Sequence, residues 1–176
     1  MRDGSIVRLL DSLPNHTDTT LTRFQRGDLP SWRAYLAYQL VYGSLLSWEE
    51  IEDMTFILKN SAKDLAYVKE LAHFRLAHTE YFVHGRVVRP PTVLSPVPTM
   101  SMFGNYDLRV YTPCTVPILV ANTFEAQNGS RVVFAANHDE NRVVDYVASV
   151  EGVGAETFRV EAKVPPLSAV VIPLVH

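Results

Sequence analysis

A run of strict alternation near the C-terminal end constrains the fold most. Residues 157–164 alternate polar with apolar side chains, and the apolar ones are Phe158, Val160, Ala162 and Val164. A period of two with one apolar face and one polar face is typical of a half-buried antiparallel strand. Three further runs rich in Val, Ile and aromatic residues surround it, at 131–137, 142–150 and 168–175. The pattern predicts several short antiparallel strands.

Turn signals separate these strands. Asn128-Gly129 lies between two apolar runs and can supply the positive φ angles of a tight hairpin turn, so residues 118–127 are predicted to pair with 131–137. Two earlier strands are expected at 99–103 and 108–111, with a turn at Gly104-Asn105. Residues 99–176 are therefore predicted to form a small antiparallel β-sandwich.

The first half of the chain is predicted to be mostly helical. One helix is expected from Trp32 to about Tyr42, capped by Ser31 and ended by Gly43. A second helix follows at 47–59, and a third runs from about 62 to 82. The predicted fold class is therefore α+β.

Three regions follow from this pattern. Residues 1–89 are a mostly helical segment, and residues 99–176 are the sandwich domain. Between them, residues 90–98 contain four prolines and are predicted to form a stiff linker.

Composition excludes several classes of protein. Hydrophobic residues make up 47% and charged residues 20%, as in a soluble globular protein. The net charge is −3 and no basic stripe is present, which argues against nucleic-acid binding. No apolar run approaches the roughly 18 residues that a membrane span needs, so no membrane association is expected. No secretory signal is visible at the N-terminus, and the location of the protein is not assigned.

Three polar clusters are candidates for reactive sites. Carboxylates at 49–53 suit the first turn of a helix, and the histidines at 73, 78 and 84 lack metal-ligand spacing, which favours packing or surface roles. The triplet 138–140 could contribute oxygen ligands to calcium, although a solvated turn is favoured. Cys114 is alone and is expected to be a small buried hydrophobe. The sequence therefore predicts no catalytic residue, no metal site and no cofactor.

Tyr42 and Trp48 are the candidate substrate-binding residues. They flank the loop at 43–47, and an aromatic face suits the apolar face of a pyranose ring. Core packing remains the alternative for both side chains.

Three stretches carry a resemblance to a known family. They are YLAYQLVYG at 35–43 followed by Trp48, EYFVHGR at 80–86 followed by RPP at 89–91, and the strands at 132–137 and 164–172. Together they resemble the C-terminal end of a multidomain glycoside hydrolase. In such proteins a (β/α)8 barrel ends and a small β-sandwich follows.

The resemblance implies a fragment of a carbohydrate-cleaving enzyme. The helical segment would be the remnant of a barrel end, and the sandwich would support the barrel. Catalytic carboxylates of barrels project from the C-terminal ends of the strands, and those strands would precede Met1. The resemblance therefore assigns no catalytic residue to this chain, which would not be catalytic alone.

Two alternatives stay open. In the first, the chain is a free-standing carbohydrate-binding sandwich, whose exposed aromatic residues would be drawn from Tyr106, Tyr111, Phe124 and Tyr146. In the second, it is a non-enzymatic structural or partner-binding protein. The helices carry more apolar surface than a small sandwich is expected to cover, so either a missing barrel domain or a partner chain is expected to pack on them.

Overall fold

In the described residues, helices precede a strand-rich region. The computed structural model describes residues 29–44, 46, 61–107, 110–152 and 156–174, and at 102–107 and 110–114 it describes the backbone alone. Three helices fall in these ranges: α1 (Leu29–Val41), α2 (Ala62–Ala77) and α3 (Thr79–Phe82). The predicted α+β class is confirmed. The helix predicted at 47–59 lies outside the described residues.

Helix α1 begins three residues earlier than the sequence predicted. Pro30 occupies the first turn, where its missing N–H group would have had no helical partner. Ser31 is therefore a buried residue inside the helix and not its cap. Gly43 has a φ of 76° and follows the helix, which confirms the predicted end.

The long helix predicted at 62–82 is broken near its end. His78 has φ −124° and ψ 39°, outside the helical region, and it separates α2 from the single turn of α3. The apolar periodicity continues through this break, which is why the sequence predicted one helix.

The described ranges contain nine strands, which form two sheets and a ribbon. Their bounds are β1 (Arg86–Val87), β2 (Thr92–Val93), β3 (Thr99–Asp107), β4 (Val110–Pro117), β5 (Leu119–Glu125), β6 (Arg131–Asn137), β7 (Val144–Glu151), β8 (Thr157–Val164) and β9 (Ser168–Pro173). The first sheet has the order β1-β5-β6-β9 and the second has the order β2-β7-β8. Strands β3 and β4 form a separate ribbon. All described pairs are antiparallel.

The register confirms one predicted hairpin and corrects another. Strands β5 and β6 pair as expected, with Glu125 opposite Arg131 beside the turn. Gly104-Asn105, predicted as a turn, lies inside β3, and Gly104 is opposite Thr112. The strand carries an irregularity just beyond Asn105, so the flexible dipeptide bends a strand and does not end it.

The proline-rich stretch 90–98 does more than connect. Strand β2 lies within it and pairs with β7 of the second sheet, and β1 just before it pairs with β5 of the first sheet. Residues 86–93 therefore supply an edge strand to each sheet. Edge positions tolerate the neighbouring prolines, which cannot donate to a ladder.

The first sheet is the middle of three layers. Val133 and Ala135 of β6 pack in a cluster with residues of the second sheet, which makes the two sheets a sandwich. On the other face of β6, Ala136 packs with the helices, and Val132 and Phe134 form a further cluster against them. Strand β6 is consequently buried on both faces, while β8 keeps its polar side exposed as predicted.

Helix α1 is enclosed within the chain. Ten of its 13 residues are buried, and it contacts α2, β3, β5 and β6. A helix that is buried all round needs no further partner. The expected surplus of apolar surface is therefore not found on α1. The helices of the described ranges are too short or too polar to cross a lipid bilayer.

Gly85, between α3 and β1, is expected to tolerate no side chain. A Cβ atom there would lie 2.6 Å from the carbonyl oxygens of Glu125 and Tyr81. Since both atoms belong to the backbone, Gly85→Ala should force β1 away from β5 and destabilise the protein by about 1–3 kcal/mol. Chemical denaturation measures this change. A Gly85→Ala protein as stable as the wild type would show that β1 does not dock as described.

Candidate functional site

The predicted sugar-binding residues are only partly described. Tyr42 is half-buried at the end of α1, and its ring stacks on Tyr38 with centroids 6.1 Å apart and planes 9° from parallel. Both rings pack against the helical core cluster. Trp48 lies outside the described residues. The pair therefore stays a prediction, and Tyr42 has the core-packing role that the sequence left open.

Arg75 holds the chain just after Tyr42. Its Nη1 donates to the carbonyl oxygens of Gly43 at 3.3 Å and Ser44 at 3.0 Å, which satisfies groups at the end of α1. Its guanidinium also lies 4.9 Å from the centre of the Phe82 ring. Burial lowers the pKa of Arg75 from its ordinary value. The cation therefore fixes the backbone beside Tyr42.

The most distinctive polar arrangement joins the helices to the sandwich. We call it the junction and define it as Arg33, Ser61, Lys63, Asp64 and Glu140. Arg33 on α1 is 3% exposed, and its Nε donates to Oδ1 of Asp64, which is fully buried in the first turn of α2. Ser61 donates to the other carboxylate oxygen of Asp64. Nη1 of Arg33 lies 2.8 Å from Oε2 of Glu140, in the loop after β6. One guanidinium thus binds two helices to one loop of the sandwich.

The outer side of the junction is open to solvent. Lys63 donates to the same oxygen of Glu140 as Arg33, and its side chain is largely exposed. The hydrogen bond from Lys63 lowers the pKa of Glu140, partial burial opposes it, and the charge of Arg33 adds to the lowering. Glu140 is therefore held ionised.

Hydrogen bonds within the β6–β7 loop fix the position of Glu140. Asn137 is buried and donates through Nδ2 to the carbonyl oxygens of Arg142 at 2.7 Å and Val164 at 3.2 Å. Asp139 accepts from the backbone N–H of Arg142 at 2.7 Å and pairs with its guanidinium. Burial raises the pKa of Asp139, but the hydrogen bonds from Arg142 outweigh it and the pKa lies below its ordinary value. The loop is thus a rigid platform for Glu140.

His138 is the buried member of this loop. Its Nε2 lies 2.9 Å from the carbonyl oxygen of Pro117, so Nε2 carries the proton and donates. Its Nδ1 is buried and has no hydrogen-bond partner within the described residues. Burial lowers the pKa of His138 to about 4, although the contact with Pro117 and the charge of Asp139 oppose it. The imidazole is therefore neutral at pH 7.

His138 gives the fold a defined sensitivity to acid. Its pKa is about 4 when folded and 6.5 as its ordinary value, so the unfolded chain binds the proton first as the pH falls. The free energy of unfolding therefore has its full value above pH 6.5 and falls as the pH is lowered toward 4. At pH 4 the protonation of His138 in the unfolded chain has lowered it by on the order of 3 kcal/mol. Urea denaturation across this range measures it. His138→Gln keeps a donor for Pro117 and should lose this part of the pH dependence; an unchanged pH profile would contradict the assignment.

The carboxylates with shifted pKa values, which include Glu140 of the junction, are not arranged to donate a proton. A general acid of a glycoside hydrolase needs a raised pKa, whereas Glu125, Asp139 and Glu140 all have lowered values because arginine or lysine side chains pair with them. Tyr67, buried near Arg33, has a pKa raised by burial. Its hydroxyl has no hydrogen-bond partner within the described residues. The arrangement is suited to fixing two parts of the molecule together.

The predicted loop at 138–140 is present, but it is less exposed than the sequence predicted. The triplet 138–140 was expected to be a solvated turn or a calcium ligand, but His138 is buried and Glu140 binds Arg33 and Lys63. No group of three potential metal ligands occurs in the described ranges. Arg33 and Asp64 were missed as partners. Their one signal is an arginine in a helix that has no other charged residue, because a buried arginine requires a carboxylate from elsewhere.

The histidines at 73, 78 and 84 and the carboxylates at 49–53 complete the predicted set. His78 is half-buried, lies 2.8 Å through Nδ1 from the carbonyl oxygen of Phe74 and packs on Phe134 with ring centroids 5.2 Å apart. It is a packing residue, as predicted. Residues 49–53 lie outside the described part of the chain. No protein-family model, curated protein or solved structure matches this chain.

Proposed function

We propose that this chain is the C-terminal portion of a glycoside hydrolase, in which helices and sandwich together brace a carbohydrate-cleaving barrel. The carbohydrate part of the proposal comes from the resemblance of residues 35–43, 80–91 and the last strands to such proteins. The bracing part comes from the packing of the described residues. The chain supplies no catalytic residue in this proposal.

The observation that carries the proposal is the position of Arg33. A buried guanidinium that pairs with Asp64 on α2 and with Glu140 on the sandwich makes sliding of one part against the other costly. Any displacement would leave a charge buried without its partner, which is strongly destabilising. A domain that braces another needs this kind of rigidity between its own layers.

We assign the contact with a barrel or a partner chain to exposed apolar side chains near the ends of the last helices. Leu76 is 70% exposed and Val83 is 61% exposed, whereas α1 is covered within the chain. In the proposal these two side chains lie against the neighbour.

The alternative of a glycan-binding sandwich is less well supported. Of its four candidate aromatic residues, Phe124 is 1% exposed against the helices and Tyr146 is fully buried between the sheets. The outer face of the second sheet carries charged pairs such as Arg159 with Glu161 and Lys163 with Asp145. A platform for sugar stacking would require exposed aromatic rings there.

Two assays test the proposal. The purified chain should hydrolyse no member of a panel of 4-nitrophenyl glycosides, and it should bind no glycan on an array. The product of the coding sequence extended in frame upstream of Met1 should hydrolyse at least one member. Hydrolysis by the chain alone, or the lack of barrel-coding sequence upstream, would overturn the proposal; glycan binding would favour the alternative.

A further inference from the structure

At the tip of the β5–β6 hairpin, several hydrogen-bonding groups surround the side-chain amide of Asn128. Residues 127–130 are all exposed. Two hydrogen bonds of 2.9 Å close the loop. In one, the N–H of Ala126 donates to the carbonyl oxygen of Ser130, and in the other, the N–H of Gly129 donates to the carbonyl oxygen of Ala126. Gly129 has a φ of 84°. The φ of Asn128 is not positive, although the predicted two-residue turn requires a positive φ at this residue. The turn is thus a three-residue loop that ends in a left-handed glycine.

The side chain of Asn128 is folded back over the next peptide. Its Oδ1 accepts from the backbone N–H of Ser130 at 2.9 Å and from the hydroxyl of Ser130 at 2.7 Å. Both donors point at the carbonyl oxygen of the side-chain amide. Two donors on one carbonyl oxygen polarise it and would stabilise negative charge that develops there.

Gly129 places no side chain in the way of its own nitrogen as that nitrogen approaches the carbonyl carbon. Gly129 has no side chain, and no heavy atom lies within 4 Å of the place a Cβ would occupy. The one opposing feature is the hydrogen bond from the Gly129 N–H to Ala126, which must open first.

We propose that Asn128 is a site of spontaneous deamidation that Ser130 promotes. The Gly129 nitrogen loses its proton and bonds to Cγ of Asn128, and the oxyanion that forms on Oδ1 is held by the two donors of Ser130. The carbonyl re-forms as the bond from Cγ to Nδ2 breaks, Nδ2 takes a proton from water and leaves as ammonia, and a five-membered succinimide remains. The hydroxide set free in this step replaces the one that took the proton of Gly129. Water opens this ring at either carbonyl to give aspartate or isoaspartate, and no oxidation or reduction occurs.

Tyr81 is placed to assist. Its hydroxyl lies 3.2 Å from the Ser130 hydroxyl oxygen. Since the single hydroxyl proton of Ser130 is donated to Asn128, Tyr81 must be the donor to Ser130. Donation into an oxygen strengthens the hydrogen bond that the same group donates onward.

The product changes the surface of the hairpin. A new carboxylate appears three residues after Glu125, which already pairs with Arg86 and Arg131. Isoaspartate also adds one carbon to the backbone of a loop whose two closing hydrogen bonds depend on its length.

The test is to incubate the intact chain in mildly alkaline buffer and to follow each asparagine by peptide mapping with mass spectrometry. Asn141 is the internal control, because it is exposed but precedes Arg142, whose side chain hinders attack. Asn128 should convert many-fold faster than Asn141. An equal rate at the two sites would overturn the proposal.

The role of Ser130 is tested by comparing folded and unfolded chains. Ser130→Ala should slow conversion of Asn128 several-fold in the folded chain and should leave it unchanged in concentrated guanidinium chloride. Tyr81→Phe should slow it less. Equal rates for wild type and Ser130→Ala in the folded chain would contradict the part assigned to the hydroxyl, whatever the fate of the proposed function.

Discussion

Asp64→Ala is expected to lower the free energy of unfolding by about 3–5 kcal/mol, because it leaves the guanidinium of Arg33 buried without its main partner. Arg33 is 3% exposed, and Glu140 can offset only part of the loss because it is shared with Lys63 at the protein surface. Ser61 also loses the acceptor of its hydroxyl. Urea denaturation followed by circular dichroism measures the change.

Two control variants separate the loss of a buried ion pair from the loss of an exposed one. Glu161→Ala removes one member of the exposed pair with Arg159 and should cost less than about 1 kcal/mol. The double variant Arg33→Met with Asp64→Leu removes both buried charges and should recover most of the stability lost in Asp64→Ala. If Asp64→Ala were no more costly than Glu161→Ala, the junction would not hold the layers together.

Phe134→Ala is expected to cost about 3–5 kcal/mol, since it removes the ring at the centre of the contact between helices and sheet. Phe134 is fully buried on β6. Five rings lie with their centroids 4.8–5.5 Å from it: Phe74, His78, Tyr81, Phe82 and Phe124. Its loss leaves a cavity that the rigid sheet cannot close.

Val171→Ala is the matched control for Phe134→Ala. Val171 lies directly opposite Phe134 on β9, but it is 38% exposed. Its truncation should therefore cost far less. In Phe134→Ala, the loss should be seen equally by a probe of helix and by a probe of sheet. A variant that loses helix while retaining the full stability of the sheet would contradict the common core.

Local patterns predicted the strands well. The alternation at 157–164 correctly predicts the bounds of β8 and its exposed side. The runs that flank Asn128-Gly129 correctly predict that β5 pairs with β6. Each of these signals is contained in a few neighbouring residues. Gly104-Asn105 shows the limit of such reasoning, because the same kind of dipeptide bends a strand when a partner strand continues past it.

The junction could not be predicted in this way. Arg33 and Asp64 are 31 residues apart, and Lys63 and Glu140 are 77 residues apart, so no local spacing relates them. Asp64 lies in the first turn of α2, where a carboxylate is favoured by the helix dipole alone. That its carboxylate turns inward to Arg33 depends on how α1, α2 and the β6–β7 loop pack.

The central claim is that the helices and the sandwich form one cooperative unit, and native-state hydrogen exchange tests it most directly. Backbone amides of α1, α2 and β6 should share one free energy of opening, equal to that of global unfolding, and Asp64→Ala should lower all three by the same amount. Amides of α1 and α2 that open at a much lower free energy than those of β6 would contradict the claim, because the helices would then detach while the sandwich stayed folded.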